Sequence, residues 1–169
     1  VLNSAYPLVW QRSYASNSDT GTAKNPYTWF GQGWDCPYGI QIKVFPAHDR
    51  IDVILPFGRV IEFPYLEPED EFYSIHEDFT LIRDYVDEEQ DPKSFKFRIA
   101  IGTIKSASTY YEFHHQVKNS SLKPEFLVLC TGTNDLYGNR IELEYLHTDE
   151  VRQNYPSHII DSIDRVLEL

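Results

Sequence analysis

Apolar and polar residues alternate with period two over short runs of this chain, the spacing of a half-buried β-strand. The cleanest runs are IQIKVF at 40–45 and SFKFRIAI at 94–101. Others are LVWQRSY at 8–14, IDVIL at 51–55, RVIEF at 59–63, FTLIR at 79–83 and TYYEF at 109–113. EFLVLCT at 125–131, IELEYL at 141–146 and RVLEL at 165–169 complete the set. Each run is bounded by Gly, Pro, Asn or Asp, which break strands. The pattern predicts an all-β fold of antiparallel hairpins and meanders with little or no helix. In 159–169 the alternation fits strand–turn–strand, and the acidic stretch 68–72 is expected to form one helical turn.

Two turns are explicit. PFGR at 56–59 separates two short strands and predicts positive φ at Gly58, and YGNR at 137–140 carries Gly138-Asn139. A weak repeat follows from them: FGRVIEF (57–63), GNRIELEY (138–145) and IDRVLEL (163–169). Each is a turn, an arginine (Arg59, Arg140, Arg165) and an alternating strand with an outward glutamate. Arg140 and Arg165 are 25 positions apart, a period suited to an array of hairpins. The chain divides into a β module, 1–136, and the first hairpin repeats, 137–169, of an array expected to be cut at Leu169.

Composition adds constraints. A chain of 169 residues suits one domain with a real core, and 15% aromatics, twelve of them tyrosine, favour strands. A formal charge of −11 argues against grip on nucleic-acid phosphates. The acid-rich stretch 67–91 is expected to be a solvated surface, and it holds no calcium-loop pattern. The longest apolar runs, such as 126–130, are too short to span a membrane as a helix. Met is absent, and Val1-Leu2-Asn3 is expected to be an internal start with no signal-peptide pattern. Cys36 and Cys130 make neither a zinc pattern nor a disulfide scaffold. Cys130, in FLVLC, is expected to be a buried small hydrophobe. Cys36, beside Pro37, is expected in a loop and exposed.

The front of the chain reads PLVWQRSY (7–14), GQGW (31–34) and IDVILPFGRVIEFPYLEPEDEFYS (51–74). The end reads YGNRIELEY and PSHIIDSIDRVLEL. In this order the segments resemble the Rhs/YD-repeat proteins, at the module that opens their repeat shell. The matching positions are Trp10, Arg12, Tyr14, Gly31, Gly33, Trp34, Gly58, Arg59, Gly138, Arg140 and Arg165. The stretch 75–136 shares only β character. In 160–165 an isoleucine replaces the family's usual tyrosine and Asp164 its glycine, a residue that tolerates a left-handed turn. The resemblance implies a structural segment of a bacterial β-cage, without catalytic, cofactor or metal residues. Such a cage encloses a C-terminal polymorphic toxin and is often delivered by type VI secretion. The implied partners are the rest of the shell and the toxin, with a secretion spike or chaperone reached through regions beyond these residues. The fragment is expected to self-associate through strand edges.

The chemical candidates are sparse. His114-His115 lie next to each other on a strand, where neighbours face opposite ways, and His48, His76, His147 and His158 supply no ligand spacing. There is no Gly-x-Ser-x-Gly elbow, and 131–135 is read as a loop rather than a phosphate cradle. Glu142 and Glu144 share a strand face, an arrangement commoner on solvated surfaces than in glycosidases. Asn119 fits a glycosylation sequon. The alternative function is a carbohydrate-binding or adhesion module using Trp10, Trp29 and Trp34. In WFGQGW (29–34) Gly31 and Gly33 are expected to bend the chain while Trp34 pins the bend to a sheet.

Overall fold

The computed structural model describes residues 11–14, 34–86, 95–117, 126–146 and 155–169. Trp10, Trp29, Gly31, Gly33 and Asn119 lie outside them. The strands are β1 (Ser13–Tyr14), β2 (Trp34–Asp35), β3 (Gln41–Phe45), β4 (Arg50–Ile54), β5 (Val60–Pro64), β6 (Glu71–Ser74) and β7 (Phe79–Arg83). They continue with β8 (Phe97–Ile101), β9 (Thr109–Val117), β10 (Phe126–Asp135), β11 (Arg140–Glu144), β12 (His158–Asp161) and β13 (Val166–Glu168). Among the described residues the helical geometry is confined to one 3-10 turn, Pro46–His48, since the turn at Pro56–Gly58 has a left-handed Phe57 at its centre. The all-β antiparallel reading holds.

Eleven strands share one sheet. Its spine is β10, ten residues long. One edge of β10 pairs with β9 along its length. The other edge is divided: Phe126–Leu129 pair with β3, and Gly132–Asn134 pair with β11. From β3 the sheet continues to β4 and β5, and from β9 to β8, β7 and β6. The two arms curl toward each other into a nearly closed barrel. At the seam Phe63 of β5 stands edge-on to Phe72 of β6, ring centroids 5.8 Å apart, and packs on Phe79 at 5.5 Å. Arg83 ties the 64–71 connection across the same seam, its Nη1 donating to the Tyr65 hydroxyl at 2.9 Å and the Leu66 carbonyl at 2.7 Å. The hairpins β11–β12–β13 extend the sheet beyond the branch.

Alternation decides what faces inward. Ile42, Val44, Ile51, Val53, Phe63, Leu81, Phe97, Ile99, Phe113, Val128, Ile141 and Ile159 form one contiguous core. β10 is also covered on its second face, where Leu127 and Leu129 with Val117 of β9 make a smaller cluster under Tyr145. That double burial explains why FLVLC is a continuous apolar run rather than an alternating one.

Three expectations are corrected. The helical turn expected at 68–72 is instead a hydrogen-bonded turn at 67–70 with Glu69 left-handed, leading into β6, whose residues are largely exposed on both faces and so carry no apolar period. The 131–135 stretch is the C-terminal half of β10, not a loop, because its backbone pairs with β9 and β11 on both sides. Cys36 is buried, only 2% exposed, because Cys36 and Tyr38 turn inward onto the core on either side of the exposed Pro37. Both cysteines are free thiols. Burial pushes each thiol up to about 12, Cys36 and Cys130 alike, so both are inert small hydrophobes.

Candidate functional site

The front motif residues that are described come together. β1 and β2 pair antiparallel with Tyr14 opposite Trp34 and Ser13 opposite Asp35. This joins PLVWQRSY to GQGW across nineteen intervening positions of sequence, 15–33. The half-buried Trp34 ring lies 5.1 Å from the Tyr14 ring, and the Arg12 guanidinium stands over it at 4.8 Å. Such stacking covers the indole from two directions.

The turn residues form a family of four. Residues 46–50, 55–59, 135–139 and 161–165 each close a hairpin with the fourth N–H donating to the first carbonyl, at 3.4, 3.1, 3.4 and 3.0 Å. In the last three the first N–H also donates to the fifth carbonyl, at 2.8, 3.0 and 3.1 Å; Pro46 has no N–H to give. The fourth residue is left-handed every time: Asp49 (φ 52°), Gly58 (77°), Gly138 (82°) and Asp164 (59°). This is the three-residue hairpin loop with a left-handed closing residue. It requires Gly, or Asp at modest cost, at the fourth position. The expected positive φ at Gly58 and the tolerance of Asp164 follow directly.

The geometry corrects the register of the sequence repeat. Aligned on the left-handed residue, Gly138 matches Asp164, so Arg165 is equivalent to Asn139 and Arg140 to Val166. The arginine is therefore not the invariant landmark. The three arginines do different work. Arg59 bonds Glu77 across the rim between two turns. Arg140 reaches Asp164 at 3.8 Å and Glu142 at 4.0 Å from an exposed position. Arg165 clamps its own turn, with Nε donating to Asp161 Oδ2 at 2.6 Å.

A local carboxylate is the feature sequence reasoning missed. Asp135 Oδ1 accepts from the N–H groups of Tyr137 and Asn139 at 2.8 and 2.9 Å. Asp161 Oδ1 accepts from those of Ile163 and Arg165 at 3.1 and 3.0 Å. The first residue of each turn thus binds the third and fifth amides, as Asx turns do. The Asn139 side chain, with the Tyr137 and Asn139 amides, holds the Asp135 carboxyl below its ordinary value. Burial opposes ionisation of Asp161, but Arg165 and the two amides offset it and the carboxyl is held low. The signal was present as Asp at four residues before Asn139 and before Arg165.

A second feature lies on β9–β10. The ladder shifts twice in succession, leaving His114 as the extra residue of β9 and Thr131 as the extra residue of β10. The two bulged side chains bond each other, Thr131 Oγ1 to His114 Nδ1 at 2.8 Å. Thr131 donates its one hydroxyl hydrogen to the Glu112 carbonyl at 3.1 Å, so it accepts from His114 Nδ1–H. That fixes the tautomer and leaves Nε2 as an acceptor. Burial, then nearby Lys96, lowers the His114 pKa and favours the neutral ring. Beside them Gly132 stands between Glu112 and Glu142 on neighbouring strands. A cleft of about 410 Å³ lies here, lined by Glu112, His114, Thr131, Asn134, Arg140 and Glu142. Asn134 Nδ2 donates to Glu112 Oε1 at 2.8 Å. The cleft offers hydrogen-bond acceptors on a rigid sheet. Strict alternation does not govern His114-His115: His114 is bulged, and His115 stacks on Tyr145 with centroids 4.2 Å apart. No group of three or more metal-ligating side chains occurs among the described residues.

No curated protein matches the chain. Residues 1–63 match a family described as a domain of unknown function, DUF6531. The matched stretch contains the β1–β2 pair and the β3–β4 hairpin and ends within β5, so it includes Trp34, Gly58 and Arg59.

Proposed function

We propose that this chain is a wall segment of a bacterial Rhs/YD-repeat shell, a β-cage that encloses a toxin domain borne elsewhere on the same protein for delivery to another cell. The observation that carries the proposal is the recurrent hairpin turn. One closing hydrogen bond and a left-handed fourth residue recur four times, and two copies follow one another at the end of the chain. A sheet grown hairpin by hairpin from a branch point is the physical form of a repeat array. The sheet ends on β13, which pairs with β12 on one side only. Val166 and Leu169 there are 56% and 47% exposed. Such an edge accepts a further antiparallel strand. The resemblance of both ends of the chain to Rhs shells supports this reading. In contrast, Trp34 is half-buried and covered in part by Arg12 and by a tilted Tyr14 ring, which argues against a sugar-binding face there.

The coding sequence that follows Leu169 tests the proposal. Further hairpins with Gly or Asp at the left-handed turn position, leading to a divergent tail, are expected. A stop codon directly after Leu169 would overturn it. In solution the 169-residue chain is expected to associate through β13 and to become monomeric on Val166→Lys, read by light scattering. A strict monomer with slowly exchanging amides throughout 157–169 would count against an edge built for continuation.

A further inference from the structure

The turn at 55–59 departs from the pattern of the turns at 135–139 and 161–165. Its first residue is Leu55, which has no carboxylate for the third amide. That amide, Phe57 N–H, is nonetheless bonded at 2.8 Å to the carboxylate of Asp35, 22 positions earlier. The Phe57 backbone differs accordingly. It is left-handed, φ 65° and ψ 19°, whereas Tyr137 and Ile163 at the same place are not among the positive-φ residues. Leu55 at φ −79°, ψ 164° and the Gly58 N–H to Leu55 carbonyl bond complete a type II turn with Pro56 at its second position. Type I and type II turns differ by a flip of the middle peptide, whose N–H is that of the third residue. In the type I form that N–H faces the first side chain, as at 135–139 and 161–165. In the type II form it faces the other way.

We propose that Asp35 acts as a carboxylate in trans that captures the flipped peptide 56–57, making the 55–59 hairpin a two-state switch that reports whether β2 is docked. Three further observations bear on this. Positive φ at a bulky aromatic is a strained conformation that persists only when its surroundings enforce it. The second oxygen of Asp35 accepts from Cys36 N–H at 2.8 Å, which aims the carboxylate. Gly39 is indispensable to that aim, since a Cβ there would stand 2.1 Å from Asp35 Oδ1. Asp35 itself is 2% exposed, and its bond to Phe57 N–H links the strand pair β1–β2 to the barrel rim. When β2 leaves, the flip is no longer held and Phe57, now 36% exposed at the rim, changes its presentation.

Nuclear magnetic resonance on the whole chain tests this at single residues. In the native protein a strong contact between Pro56 Hα and Phe57 H–N, with a Phe57 one-bond Cα–Hα coupling typical of positive φ, marks type II. In Asp35→Ala the contact is expected to weaken, the coupling to report negative φ, and Phe57 N–H exchange to rise ~10-fold or more relative to Tyr137 and Ile163. The double variant Asp35→Ala/Leu55→Asp supplies the carboxylate in cis. It is expected to keep the weak contact but recover slow Phe57 exchange, which general loosening would not produce. If Asp35→Ala does not fold, Leu55→Asp alone decides: a weakened Pro56–Phe57 contact supports the switch. A strong contact and positive φ retained in every folded variant would overturn it.

Discussion

The same substitution at two glycines should expose two different constraints. Gly138→Ala meets open space: an added Cβ has nothing within 4 Å, so its only difficulty is the backbone at φ +82°. A left-handed L-residue costs roughly 1–2 kcal/mol. The smaller entropy of an unfolded alanine offsets about 0.4–1 kcal/mol of that. A net loss of about 1 kcal/mol follows. Gly132→Ala meets backbone: its Cβ would stand 2.3 Å from the Ile141 carbonyl oxygen and 3.3 Å from Glu142 Cα. An ordinary carbon–oxygen approach is about 3.3–3.6 Å, so β10 and β11 must part by roughly 1 Å. Overpacking of this kind costs about 1–3 kcal/mol, and loosening a ladder bond adds about 1 kcal/mol. The expected loss is therefore ~2–4 kcal/mol. It falls where the β11–β13 hairpins join the sheet. Urea unfolding with linear extrapolation measures both, and an unchanged slope would keep the comparison within one unfolding transition. Equal losses, or a larger loss at Gly138, would refute the account of Gly132 as the site of closest strand approach.

Three further expectations test the fold and its charges. Phe63→Ala removes the ring that closes the barrel seam on Phe72 and Phe79 and should cost about 3–5 kcal/mol by urea unfolding. A loss under about 1 kcal/mol would mean that the seam is not packed. Asp135 and Asp161 are held low in the folded chain, so their contribution to stability is present above the unfolded carboxyl value and is lost as pH falls through the folded one. Burial raises Asp35 instead, so its contribution has the opposite sign and is lost as pH rises through its folded value. Stability measured against pH should therefore lose part of its acid-side fall in Asp161→Asn, and an unaltered acid limb would contradict the clamp. Finally, Cys36 and Cys130 should both resist alkylation in the folded chain at mildly alkaline pH and react together in denaturant, read by intact mass. Rapid labelling of either in the folded protein would place that thiol outside the core.

Much of the sheet was legible because apolar and polar residues alternate in sequence even where both faces are largely buried, as in β3. IQIKVF and SFKFRIAI show this period, and β3 and β8 lie within those runs. β6 was not legible: EFYS exposes both faces, so no period distinguishes it from a turn. The second half of β10 failed for a different reason. Thr131 to Asp135 has loop composition, yet long-range pairing on both edges makes it strand, and the Gly and Thr that suggest a loop are what the close approach and the bulge require. The cleft at His114 was hidden for the same reason. Period-two reasoning separates His114 from His115, and only the paired bulges bring His114 to Thr131. Cys36 was misplaced because the neighbouring proline signals a loop, while burial of Cys36 and Tyr38 is decided by contacts with distant strands.

The turns show how a repeat can be recognised by the wrong letter. Arginine is conspicuous in Phe57-Gly58-Arg59, Asn139-Arg140 and Asp164-Arg165, and it suggested an alignment one position out for the last pair. What the backbone demands is a left-handed fourth residue, which Gly58, Gly138, Asp49 and Asp164 all satisfy. Three of the four turns also give the third amide a carboxylate acceptor. Asp135 and Asp161 supply it from within the turn, and Asp35 supplies it from another strand. A carboxylate supplied locally makes a hairpin self-sufficient, so it can be copied along an array without reference to its neighbours. Supplying it from a separate strand makes the hairpin depend on that strand's position. The distinction falls where the chain changes character, between the turn inside the matched N-terminal region and the two hairpins that succeed one another at its end.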